Sequence, residues 1–144
     1  MPRGSFATLA GLNRQRGSLK TYDPDVAPAA AEWLAIDAAE RIALVEAYHR
    51  RRRIRLPRLT VQATIHVVVE NQIALGEAVV IDALARLRAE GLTRHDAVHA
   101  VGMVLAGQIY EFFKSPPDDT SDPNAPYYDR LRRLTAAEWL RSGS

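Results

Sequence analysis

The 144-residue chain has no cysteine. That excludes disulfide staples and thiolate metal sites, and it leaves nitrogen and oxygen as the donors for any bound ion. The same usage fits a reducing cytoplasm, which is the location expected for this protein. Long apolar runs are missing as well. Met1-Pro2-Arg3-Gly4-Ser5-Phe6-Ala7 lacks the core of a secretory signal, and no later stretch reaches the length of a membrane span, so no membrane partner is expected. There is neither a serine or cysteine nucleophile constellation nor a glycine-rich phosphate loop, which leaves covalent catalysis and nucleotide use without support. Net charge is small, at +2, and by itself argues weakly for nucleic acid.

What is present points to helices. With 47% hydrophobic residues the chain can bury a substantial core. Alanine, leucine, arginine and glutamate dominate while glycine and proline mark the joints, the composition of an all-α protein. The expected architecture is a compact bundle of about four or five helices. Residues 1–22 hold scattered Arg, Gly and Ser with few apolar anchors and read as a flexible basic arm. Residues 23–114 form the helical bundle domain, and residues 115–144 a polar, proline-bearing loop followed by short helices that pack on the bundle.

Local signals set the helix boundaries. After Pro24 and Pro28, Ala29 to Leu34 reads as a short helix with Trp33 as a packing anchor. Asp37-Ala38-Ala39-Glu40 has capping-box spacing and opens a helix running to roughly Arg52. Residues 60–75 are rich in valine, isoleucine and threonine, which favour strand. The pattern has no period of two, however, and Gly76 stands where a helix would stop, so the segment is read as helix. Ala78 to Glu90 is amphipathic, ends at Gly91 and should turn Arg86 and Arg88 to water. Thr93 is the N-cap of a helix reaching about Lys114, with Val98, Val101, Leu105, Ile109 and Phe112 as its core stripe. Gly102 and Ala106 border that stripe and would let another helix come close to the histidine face. A short helix over Tyr127 to Leu134 and a final turn opened by a capping box at Thr135-Ala136-Ala137-Glu138 complete the chain.

The most specific pattern is a pair of ligand-spaced segments. His66 and Glu70 lie four positions apart in one helix, and His95 and His99 four apart in another, so each pair shares a face. If the two faces meet, His66, Glu70, His95 and His99 form a divalent metal site suited to zinc, iron, manganese or nickel. Two other readings remain open: a buried network in which Glu70 hydrogen-bonds a histidine, and unrelated surface histidines. A carboxylate flanked by Val67, Val68, Val69 and Ile73 demands a partner in either buried case. Asn71, Gln72 and Asp96 are candidates to orient an imidazole, although Asp96 also suits a helix N-terminus. His49 could be a fifth ligand or a solvated cation near a helix C-terminus, and the second reading is favoured. An ion with an open coordination position could activate water, with Glu70 as ligand or general base, whereas a shell filled by protein would only clamp helices.

His-x3-Glu followed by His-x3-His, with His49 earlier, is similar to part of the ligand order in hemerythrin-like di-iron bundles. The His-x4-Asp of that family's last helix has no counterpart here, since no histidine follows His99. His66-Val67-Val68-Val69-Glu70-Asn71-Gln72-Ile73 and Glu90-Gly91-Leu92, then Arg94-His95-Asp96-Ala97-Val98-His99-Ala100-Val101-Gly102, together resemble more closely a family of small bacterial helical proteins without an assigned activity, over roughly residues 22–114. The alternative function is a metal-free binding module. Arg50, Arg51, Arg52, Arg53, Arg55 and Arg58 could track the phosphates of nucleic acid or meet an acidic partner, although no aromatic interleaving accompanies them. Assembly with further copies of the chain is left open by these residues.

Overall fold

The computed structural model describes residues 19–51, 59–118 and 120–142, and among them every regular element is helical. In chain order these are α1 (Ala30–Ala35), α2 (Ala38–Arg51), α3 (Leu59–Ala74), α4 (Ala78–Ala89), α5 (Arg94–Lys114), α6 (Ala125–Arg133) and α7 (Ala136–Arg141). The all-α expectation holds: among the described residues five helices span residues 30–114, and the two short carboxyl-terminal helices follow.

α3 is the element on which the others assemble, packing against α1, α2, α4 and α5. Its β-branched residues are helical because burial on both sides overrides their intrinsic preference. Val69 faces one apolar cluster with α4 to α7, while Ala63 and Val67 face a second with Tyr22, Trp33, Val45 and Tyr48. α3 ends at Gly76, whose φ of +81° only glycine adopts without strain. There Glu77 N–H donates to Gln72 O and Gly76 N–H to Ile73 O, a Schellman closure that satisfies two terminal carbonyls. α4 closes the same way at Gly91, with φ +110°, and Leu92 N–H bonds Leu87 O across a contact of two buried leucines.

α5 begins at Thr93, whose Oγ1 accepts from Asp96 N–H at 3.1 Å. The Asp25 carboxylate takes the next exposed donor, His95 N–H, at 3.0 Å. Gly102 provides the close approach expected of it, because a methyl built there would stand 3.0 Å from Ile65 Cγ2 of α3. Two members of the expected core stripe are not core, as Ile109 and Phe112 are about 40% exposed. The last turns of the 21-residue α5 stay exposed, with Phe112 and Phe113 bordering a hollow beside Pro123, Asn124 and Tyr127.

The carboxyl-terminal helices are held by α4 and α5. Tyr127, Leu131, Leu134 and Trp139 join the cluster around Val69 and Leu87. Arg86, expected to face water, instead donates to Leu131 O at 2.7 Å and to Leu134 O, capping the end of α6. Glu90 accepts Ala136 N–H at 2.8 Å. The second capping box is half formed: Thr135 Oγ1 accepts from Glu138 N–H at 3.1 Å, but the Glu138 carboxylate pairs with Arg130 rather than reaching back. No helix among the described residues is long and apolar enough to cross a membrane.

Candidate metal centre

All four histidines of the chain meet at one place where α2, α3 and α5 cross. His95 and His99 sit one turn apart on α5, so their rings lie parallel, 4° between planes and 6.1 Å between centroids. His66 reaches from α3 to within 5.7 Å of His95 and 5.8 Å of His99, and His49 of α2 lies 5.4 Å from His66. His49 and His66 are 4% and 3% exposed, so the expectation of a solvated His49 is corrected. The helix turn that would have exposed it packs against α3 instead. One signal in the sequence could have placed it, the Glu-x-x-His spacing of Glu46 and His49, which puts both on one helix face.

Aromatic rings wall the cluster. Tyr22 meets His66 edge-on at 6.2 Å, Tyr48 meets His95 at 5.5 Å, and Trp139 of α7 leans on His99 at 5.4 Å. Tyr48 Oη stands 3.4 Å from His95 Nδ1, a long contact. Nδ1 and Nε2 of His66 and Nδ1 of His49 are buried without a hydrogen-bond partner. A neutral imidazole carries one donor and one acceptor, and each left unmade in the interior costs about 1–3 kcal/mol.

Burial disfavours the charged form of His49, His66 and His99. Burial pushes the His66 pKa well below the ordinary value, and the neighbouring His99, His49, His95 and Arg94 push the same way. Burial, then His95 and His99, lowers His49, while Glu46 opposes. Burial and His95 lower His99, with Asp96 opposing. Neutral imidazole is the form that binds a metal ion. Among the described residues, no group of three or more histidine, aspartate or glutamate side chains is arranged to hold a metal ion. The cluster brings the rings together, and its nitrogens would have to turn toward a common point to hold an ion.

Glu70 is where the sequence expectation and the structure part. It shares a face of α3 with His66, as the spacing requires, but both of its oxygens are taken. Arg94 donates to Oε1 and Oε2 at 2.8 Å each, and Tyr22 Oη donates to Oε2 at 2.5 Å. Arg94 completes its own bonding at Pro24 O, 2.8 Å away. With Glu70 at 1% and Arg94 at 3% exposure, this is a buried, bidentate ion pair. Burial would lower the Arg94 pKa, but the bonds and charge of Glu70 more than offset that and raise it. Burial, and after it the Glu70 charge, lifts the Tyr22 hydroxyl well above its usual range, so it stays a donor. The carboxylate did demand a partner, and the Arg94 guanidinium and Tyr22 hydroxyl supply it. Tyr22, assigned by sequence to the arm, is 2% exposed and belongs to this core.

The other orienting candidates serve elsewhere. Asn71 Oδ1 accepts from Trp33 Nε1 at 2.8 Å and from Arg41 at 2.9 Å, and Gln72 Oε1 accepts from the Tyr127 hydroxyl at 2.8 Å. Asp96 lies in the first turn of α5, where it complements the helix dipole. Of the basic run, Arg50 and Arg51 are exposed at the end of α2, while Arg52, Arg53, Arg55 and Arg58 lie outside the described residues. Comparison of the chain with family models, with curated proteins and with solved structures gives no match.

Proposed function

We propose that the chain binds a divalent transition-metal ion through His49, His66, His95 and His99. The observation that carries this reading is His66, whose two ring nitrogens lack partners in an almost fully buried position with three other imidazoles around it. A buried polar group without a partner calls for one, and a cation is what neutral imidazoles jointly suit. The spacing supports it. Imidazoles bound to one tetrahedral ion, with metal–nitrogen distances of about 2.0–2.1 Å, have centroids roughly 5 Å apart. His66 lies 5.4–5.8 Å from each of the other three rings and His95 lies 6.1 Å from His99, within about an ångström of that.

Glu70 is left out of the proposed shell because Arg94 and Tyr22 already use its oxygens. An all-nitrogen set favours zinc, nickel or ferrous iron over manganese, which prefers oxygen. Four protein ligands would fill a tetrahedral ion, so its role would be to clamp α2, α3 and α5 together.

Elemental analysis of the purified, untagged chain, grown with zinc, iron, manganese and nickel supplied, tests this. The expected result is about one ion per chain, a melting temperature that falls on chelation, and loss of both properties in His66→Ala. A protein that retains no ion after supplementation, and whose melting temperature does not respond to added zinc or nickel, would overturn the proposal.

A further inference from the structure

α5 is apolar on two sides. Its inner side packs Val98, Val101 and Leu105 into the core. On its outer side Met103, Ala106, Gly107, Tyr110 and Phe113 follow one another at spacings of three and four, which makes a single stripe. Met103 is 51% exposed, Tyr110 65% and Phe113 80%. A surface helix ordinarily presents charge there, and one that is apolar all round is ordinarily covered. The middle of the stripe is small. A methyl at Gly107 would meet nothing within 4 Å, and Gly107 borders a hollow of about 430 Å³ shared with Met103, Tyr110, Leu134 and Trp139.

We propose that this face joins two copies of the chain, with α5 lying antiparallel to α5 of its partner about a twofold axis. In such a contact, whatever residue i does to residue j is returned by symmetry. The register that seats Tyr110 of one copy over Gly107 of the other seats the second Tyr110 over the first Gly107. The same register lays the aliphatic stem of Lys114 along Met103. Knob and hole are therefore supplied by one stripe, and the hollow beside Gly107 receives the partner's aromatic ring.

Charge permits the meeting. Glu111 and Lys114 border the stripe and cancel, so the two copies do not repel. Size permits it too. The exposed parts of Met103, Tyr110 and Phe113 come to roughly 350–400 Å² per copy, taking about 200 Å² for each whole side chain. An ordinary stable interface takes about 800 Å² per partner, of which a little over half is apolar, and the polar rim around the hollow, Gln108, Arg130, Glu138 and Ser142, supplies the polar part. This inference is independent of the histidine cluster.

Sedimentation equilibrium of the full chain over a wide concentration range, with and without chelator, provides the test. The expected result is twice the chain mass of 16.0 kDa. Gly107→Arg, which meets open space in the single copy, and Tyr110→Glu should each weaken association roughly tenfold or more while leaving the circular dichroism spectrum unchanged. A mass of one chain at every concentration assigns the face to a different partner and overturns the proposal. A dimer that both substitutions leave intact places the contact elsewhere and overturns it equally.

Discussion

Removing the guanidinium from the buried Glu70–Arg94 pair is the most informative single perturbation. In Arg94→Ala the Glu70 carboxylate loses two 2.8 Å charge-assisted bonds and keeps only the Tyr22 hydroxyl, in a position 1% exposed. Pro24 O loses its donor as well, so the chain entry to α1 is released from α5. Deleting one partner of a buried pair typically costs about 3–5 kcal/mol, because an uncompensated charge remains in the interior. For a chain of this size that is a fall of roughly 10–20 °C in melting temperature. Urea unfolding followed at 222 nm gives the free energy directly, provided the slope with denaturant stays the same as in the native chain. The double substitution Arg94→Met with Glu70→Leu removes both charges at similar volume and should recover most of the loss, since a buried pair contributes little net stability over an apolar replacement. Glu70→Gln should be destabilised yet still hold the ion expected at the histidines, because its oxygens lie outside the proposed shell. An Arg94→Ala cost below about 1 kcal/mol would refute the reasoning: the carboxylate would then have another partner, and its exclusion from the metal site would lose its basis.

Acid should unfold the chelator-treated chain earlier than its carboxylates alone would require. Folded-state values of His49 and His66 lie below the unfolded value of about 6.5, so the unfolded chain takes up protons first as pH drops. Stability is complete above about pH 6.5 and is lost below it, by up to about 1.4 kcal/mol per pH unit for each of these two buried rings. Urea midpoints at pH 7.5, 6.0 and 5.0 measure this, and a flat profile would contradict the burial. Gly102→Ala tests the α3–α5 approach: the added methyl meets Ile65 at 3.0 Å, and overpacking of about 1–3 kcal/mol should exceed the helix-propensity gain of about 1 kcal/mol. A variant more stable than the native chain in thermal melts would show that the two helices have room to part.

Much of the local structure was legible in the chain. The stops at Gly76 and Gly91 and the caps at Thr93 and Thr135 depend on a few neighbouring residues and on backbone geometry, which sequence states directly. That His95 and His99 share a face, and that Gly102 admits α3, follow from helical period alone. Helix ends that depend on distant partners were less legible. Nothing near Arg86 announces that its guanidinium caps α6, 45 residues away along the chain. Ile109 and Phe112 continue a core stripe by period, yet the packing leaves them about 40% exposed.

By itself, the sequence determined the helical class and which donors stand side by side on each helix, because both are set by the 3.6-residue turn and the chemistry of a few adjacent residues. Tertiary structure alone decided which faces meet. The crossing of α2, α3 and α5 gathered His49 with the other three histidines, and it turned Glu70 toward Arg94 and Tyr22, partners 24 and 48 residues away. A buried carboxylate must be compensated, and several cations along the chain could have done so. Only the packing angle of the helices selects which one arrives within 3 Å.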